Sequence, residues 1–386
     1  MENYIVLRKT QATEKSITGL AMNDSAVGGT ITTERIPEYA LSDLQRDPEV
    51  LVVTPPMATA LIQPVQSTAN NSVIGDAWGI ASVRADTSPY TGEGVTVAVL
   101  DTGIDKSHPA FAGVDIVEQD FTGQGNGDLE GHGTHCAGTI FGRNVNGCRI
   151  GIARGVSRAL IGKVLASNGG NTSMLFEGLQ WALKEQANVI SMSLGFNFAG
   201  EVERKVKSGW PVDLATSQAL ETYRGNLRLL DALMGLFKAQ SAFNGAPLVI
   251  AATGNDSRRS VNKNYKIAAS LPAAAEGVVS VAAVSESGTL FDVADFSNSM
   301  AQVAAPGVGV LSAWPGGTLH ALNGTSMACP HVAGVAALWW QKLKAQQAPN
   351  LAQAVASNLI AHARADCFLP GLDSVDFGHG LVIAPQ

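Results

Sequence analysis

Five short apolar runs constrain this chain more than any other feature: 95–100, 160–165, 189–194, 248–252 and 278–284. Each is rich in Val, Ile, Leu or Ala and evenly apolar rather than alternating, the pattern of parallel strands covered on both faces. Between them the segments 132–141, 173–186 and 326–346 read as helices. Strands alternating with helices predict an α/β fold of three layers, built on a doubly wound, mostly parallel sheet. Composition agrees: charged residues are 15% of the 386, where about 25% is usual, and apolar residues are 46%, which excludes disorder for most of the chain. Glycine is over-used, at 41 residues, which implies many tight turns or close backbone approaches.

The ends of the chain read differently from its centre. Residues 1–63 form a small α+β module, with a strand at 4–7, a polar middle, a helix at 39–45 and a strand at 49–53 stopped by Pro55 and Pro56. Residues 64–78, rich in Gln, Ser, Asn and Thr, read as an exposed linker, and 79–386 as the main domain. Within that domain, 196–244 breaks the rhythm. Leu220, Tyr223, Leu227, Leu230, Leu233 and Phe237 recur at three- and four-residue spacing, an amphipathic helix inserted between two strands and weakened at Gly225 and Gly235. The insertion is either packed on the surface or a lid over a site.

Several function classes fall away. The net charge is −7, from 26 basic and 33 acidic residues, and no basic stripe is present, so no nucleic-acid partner is expected. The apolar runs 332–340 and 246–252 are far shorter than the roughly 18 residues of a membrane span, so no membrane is expected either. The N-terminus has a four-residue apolar core and no basic lead, unlike a secretory signal. That sets an expectation of a cytoplasmic protein, secretion by another route being the alternative. A monomer is expected. Cys136, Cys148, Cys329 and Cys367 are too few for a disulfide scaffold and match no zinc ribbon.

In an open parallel sheet the ligand site lies off the carboxyl ends of the strands. Asp101 ends one run, Ser193 and Gly195 another, and Gly254 and Asn255 a third, while Gly131-His132 and Gly324-Thr325-Ser326 open helices. An acid, an imidazole and a hydroxyl are the parts of an acyl-transfer site, because a serine hydroxyl attacks an amide only when an oriented imidazole takes its proton. The chain order Asp101, His132, Ser326 separates this site from the Ser, acid, His order of α/β-hydrolases and the His, Asp, Ser order of chymotrypsin-like barrels. A metal hydrolase using His132, His135 and Cys136 is a rival, but the segment lacks the internal glutamate of H-E-x-x-H.

With those residues in order, the chain resembles a subtilisin-like serine protease, a subtilase of peptidase family S8. Five blocks carry the resemblance: Asp101-Thr102-Gly103-Ile104, Gly131-His132-Gly133-Thr134-His135-Cys136-Ala137-Gly138, Ser193-Leu194-Gly195, Ala251-Ala252-Thr253-Gly254-Asn255 and Gly324-Thr325-Ser326-Met327-Ala328-Cys329-Pro330-His331.

The resemblance implies a subtilisin-like fold and a serine endopeptidase acting on extended polypeptides. Ser326 would be the nucleophile, His132 the general base, Asp101 its orienting acid and Asn255 the side-chain donor of the oxyanion hole. It also implies that Ser193, Leu194, Gly195, Gly169 and Gly170 clamp the peptide as an added strand. Residues 1–63 would be a propeptide, a folding aid and intramolecular inhibitor, cut between about Met57 and Gly75. Phe196, where many relatives have a second glycine, implies a narrowed specificity pocket. The 143–149 loop stands where relatives hold calcium but offers few oxygen side chains. No metal is assigned there, and no cofactor is expected for catalysis. A peptide ligase or macrocyclase and a dedicated propeptide-processing protease are the alternatives.

Overall fold

The computed structural model describes residues 1–9, 29–65, 77–240 and 245–386. The polar middle of the first module, positions 66–76 of the linker and the last residues of the insertion lie outside these.

At the N-terminus, β1 (Glu2–Lys9) is the central strand of a three-stranded antiparallel sheet between β2 (Gly29–Ile36) and β3 (Val50–Thr54), with α1 (Leu41–Arg46) preceding β3. After Pro55 and Pro56 the chain leaves that sheet and forms β4 (Ala58–Leu61). The main domain then runs α2 (Trp78–Ser82), β5 (Thr96–Asp101), β6 (Asp115–Asp120), α3 (His132–Phe141), β7 (Arg158–Lys163), β8 (Gly170–Asn171), α4 (Thr172–Lys184), β9 (Val189–Met192) and β10 (Leu194–Phe196). Two helices follow, α5 (Phe198–Lys207) and α6 (Val212–Gln240), then β11 (Leu248–Ala252), β12 (Val278–Ser287), β13 (Leu290–Val293), β14 (Val303–Pro306), β15 (Val310–Trp314) and β16 (Thr318–Leu322). The chain closes with α7 (Thr325–Ala345) and α8 (Leu351–Ala361).

The expected sheet is present, in the order β13-β12-β11-β9-β5-β7-β6, with β14 also on β12 and only β13 antiparallel. Both faces are buried, as the even apolarity of the runs requires. Along β5, Val97 and Val99 face the cluster containing α3, α7 and α8, while Ala98 and Leu100 face the cluster containing α4 and α6. The order β11-β9-β5 sets the carboxyl ends of three central strands side by side, with Asn255, Ser193 and Asp101 on or just past them.

Among its described residues the 196–244 insertion holds two helices rather than one, with a turn at Ser208 and Gly209 after α5 and before α6. α6 runs unbroken through Gly225. A Cβ there would lie 2.2 Å from the Thr54 hydroxyl, so glycine is what lets the N-terminal sheet dock on this helix. Ile5 and Leu7 of β1 share a buried cluster with Leu229, Leu230, Leu233 and Phe237 of α6. No helix among the described residues is long and apolar enough to cross a membrane.

Candidate active site

Asp101 is the last residue of β5, and His132 the first of α3. Two glycines bring these elements together: a Cβ on Gly133 would lie 2.2 Å from the carbonyl oxygen of Gly103. His132 Nδ1 stands 2.8 Å from Asp101 Oδ1, both side chains fully buried, and Asp101 Oδ1 also accepts from the Thr102 amide at 2.7 Å. The carboxylate faces Nδ1, so Nδ1 carries the proton and Nε2 presents a lone pair, with no hydrogen-bond partner among the described residues.

Asp128 holds the start of α3 and went unrecognised in the sequence. Its Oδ1 accepts from Gly131 N at 2.9 Å and Thr102 Oγ1 at 2.9 Å, and its Oδ2 accepts from Thr134 N at 2.9 Å. One buried carboxylate therefore ties the β5 turn to the helix N-terminus, where negative charge is favoured. An aspartate four residues before His132, at the edge of a glycine-rich turn, was the available signal.

Ser326 is the second residue of α7 and fully buried. Its Oγ lies 3.3 Å from the carbonyl oxygen of Ile62 and 3.4 Å from that of Ser193. Cys136 bridges the two helix starts, its Sγ 3.8 Å from His132 Nδ1 and 3.4 Å from the Ser326 carbonyl. Asn255, after β11, accepts from Thr325 N and Thr325 Oγ1 through Oδ1, both at 2.9 Å. That fixes the amide so that Nδ2 points outward, and it donates to the carbonyl of Gln63 at 3.0 Å.

The remaining expected residues flank one strand. β4 lies antiparallel between β10 and β8, pairing Leu61 with Leu194, Ala60 with Gly195 and Thr59 with both Phe196 and Gly170. Gly169, at φ +95°, is pressed against β4: a Cβ there would be 2.8 Å from the Thr59 carbonyl. Ser193 turns its hydroxyl to the Ser326 carbonyl at 3.1 Å. Past β4 the Ile62 side chain is buried, and Val65 donates its amide to Asn323 O at 2.9 Å. Phe196 lines a cavity of about 1000 Å³.

The donor atoms of Asp101, His132 and Cys136 lie within 4.8 Å of one another, whereas His135 points its Nε2 to Val310 O and His320 O. The metal set His132, His135 and Cys136 is therefore not assembled. In the trio that is, His132 and Asp101 are hydrogen-bonded to each other through Nδ1 and Oδ1, and burial holds the Cys136 thiol well above its ordinary value, against the thiolate that metals take. From the 143–149 loop the Arg149 guanidinium reaches out to donate to the carbonyls of Ala85, Gly151 and Ile152 at 3.0–3.2 Å.

Residues 92–380 match the profile of the Subtilase family. Subtilisin-like protease 6 of Trichophyton rubrum is 33% identical over 271 residues, which cover 67% of this chain and 57% of that protein. Subtilisin E of Bacillus subtilis (strain 168) is 32% identical over 310 residues, 78% of this chain and 68% of the other. M-protease of Shouchella clausii is 34% identical over 272 residues, with coverages of 69% and 60%. The chain thus spans under two thirds of the length of two of these three relatives.

Proposed function

Since the chain belongs to the subtilase family, we propose that it is a serine endopeptidase that hydrolyses peptide bonds in extended polypeptides. Ser326 gives its proton to His132 Nε2 as Oγ attacks the carbonyl carbon, and Asp101 stabilises the imidazolium through Nδ1. Asn255 Nδ2 and the Ser326 amide, at the positive end of α7, receive the oxyanion. His132 then passes the proton to the departing amine, and water cleaves the acyl-enzyme by the same steps in reverse. No metal or other cofactor takes part.

The observation that carries this reading is an imidazole oriented by a carboxylate at 2.8 Å on a helix start that Cys136 joins to that of Ser326, with the carbonyl of Ile62 lying 3.3 Å from Ser326 Oγ and Asn255 Nδ2 on the next carbonyl. Labelling by a fluorophosphonate tests it. The intact chain should be modified at one residue, Ser326→Ala should not react, and labelling that survives this substitution would refute the assignment.

The N-terminal module acts as an intramolecular inhibitor, with β4 as the strand a substrate would supply. The carbonyl beside Ser326 Oγ is that of Ile62, while Asn255 holds the next one, that of Gln63. Nucleophile and oxyanion donor thus engage consecutive carbonyls, a resting pose in which neither peptide is ready for attack. A shift that carries the Ile62 oxygen to Asn255 would make Ile62–Gln63 the bond that is cut.

A further inference from the structure

Asp101, His132 and Ser326 stand on three separate elements, β5, α3 and α7, and the hairpin of β15 and β16 is joined to the surroundings of all three. β16 ends at Leu322, and only Asn323 and Gly324 separate it from α7, whose second residue is Ser326. The other end of the hairpin is held by the loop that follows Asp101. Gly316 N donates to Asp105 Oδ2 at 3.0 Å, and His108, whose Nδ1 accepts from Ala110 N, donates through Nε2 to Thr318 O at 2.8 Å.

The hairpin also lies along one face of α3. His135 shares its Nε2 hydrogen between the two strands, with Val310 O at 3.0 Å and His320 O at 3.1 Å, and Ser312 Oγ donates to His135 O at 2.8 Å. Gly131, His135 and Gly138 fall on this face at helical spacing. Both glycines admit the hairpin: a Cβ on Gly138 would stand 2.5 Å from Ser312 Oγ, and one on Gly131 2.6 Å from the Trp314 ring. Gly131 caps α3 at φ +84° and immediately precedes His132, so the indole bears on the backbone from which the imidazole springs. The His320 ring lies against that indole, with centroids 5.0 Å apart.

We propose that Trp314 is a positioning residue: braced on Gly131, it sets where His132 stands relative to Ser326, which the same hairpin carries at its other end. The proposal rests on the endopeptidase reading for its effect on rate but not for the bracing itself. Proton transfer from Oγ to Nε2 needs the two groups in register, and a misplacement of about 1 Å can cost roughly 10²-fold in rate.

Two measurements test it. In the active chain, Trp314→Ala should lower kcat about 10-fold and leave KM within about 2-fold, and Trp314→Phe, which keeps a ring against Gly131, should recover most of the loss. Asp105→Asn stands in if Trp314→Ala does not fold: it keeps an oxygen for Ser107 but not the acceptor of Gly316 N, and should lower kcat in the same direction. A kcat that these changes leave unmoved, or a loss that Trp314→Phe does not recover, overturns the proposal. In the full chain carrying Ser326→Ala, amide hydrogen exchange in the first turn of α3 should quicken about 10-fold with Trp314→Ala, and unchanged exchange there overturns the bracing. A chain that no fluorophosphonate labels would remove the endopeptidase reading alone, with the exchange comparison still deciding the bracing.

Discussion

Pro330 has no amide hydrogen to give the carbonyl of Ser326 four residues earlier, and the oxygen left over is taken by the Ser193 hydroxyl at 3.1 Å and the Cys136 thiol at 3.4 Å. A gap in the α7 ladder thus becomes the point where the end of β9, α3 and α7 are joined at Ser326. Ser193→Ala should cost about 1 kcal/mol of stability. Pro330→Ala restores a backbone donor to that oxygen and should offset part of the loss. A double-mutant cycle from urea unfolding reads the coupling, and purely additive effects would contradict it.

Asn255→Leu should lower kcat by about 10² to 10³ with little change in KM, since the amide acts on charge present only in the transition state. Steady-state kinetics on a short peptide decide this. A change confined to KM would place Asn255 in ground-state binding instead.

His135 and His331 are fully buried, and burial lowers them from 6.5 to about 3 and about 4. Unfolded, both protonate near 6.5, so below that pH the unfolded chain binds more protons and stability falls. The contribution should be complete above pH 6.5 and lost progressively towards pH 3, at roughly 1.4 kcal/mol for each unit of displacement. His331→Leu should flatten the dependence between pH 4 and 6.5 in denaturant melts.

Burial pushes the Cys136 thiol well above its ordinary value and Cys329 up to about 11. Iodoacetamide at pH 8 should therefore leave both unmodified and activity intact, as checked by peptide mass mapping. Loss of activity in step with alkylation of Cys136 would show that the helix starts open.

The Arg149 guanidinium spans three buried carbonyls, those of Ala85, Gly151 and Ile152, at 3.0–3.2 Å. Arg149→Gln should destabilise the fold by several degrees, by leaving buried carbonyls without a donor.

What was legible in the sequence was whatever buries both faces or begins a helix abruptly. α3 occupies 132–141 as read, and β5, β9 and β11 fall within a residue or two of their runs. The 189–194 run reads as one strand, but the strand breaks at Ser193, and Leu194 pairs with β4 outside the main sheet. β6, an edge strand of sequence Asp-Ile-Val-Glu-Gln-Asp, has one covered side and polar ends, and gave no signal. β4 was invisible for another reason. Its four residues are a strand only because the groove supplies both neighbours, which no local pattern records. The candidate triad residues could be read from motif and order, whereas Asp128, which acts through backbone amides and threonine hydroxyls, carried only the weaker signal of its place beside a glycine-rich turn.

β4 is the middle strand of three, and this fixes more than where the N-terminal segment lies. Take it away and what remains is a slot one strand wide, with β10 and β8 as its two hydrogen-bonding margins. A guest must offer its backbone to both margins at once, so a strand already paired in a folded protein, even at a sheet edge, has one side spoken for. On the proposed endopeptidase reading, the geometry itself would sort loose chain from folded chain before any side chain is inspected.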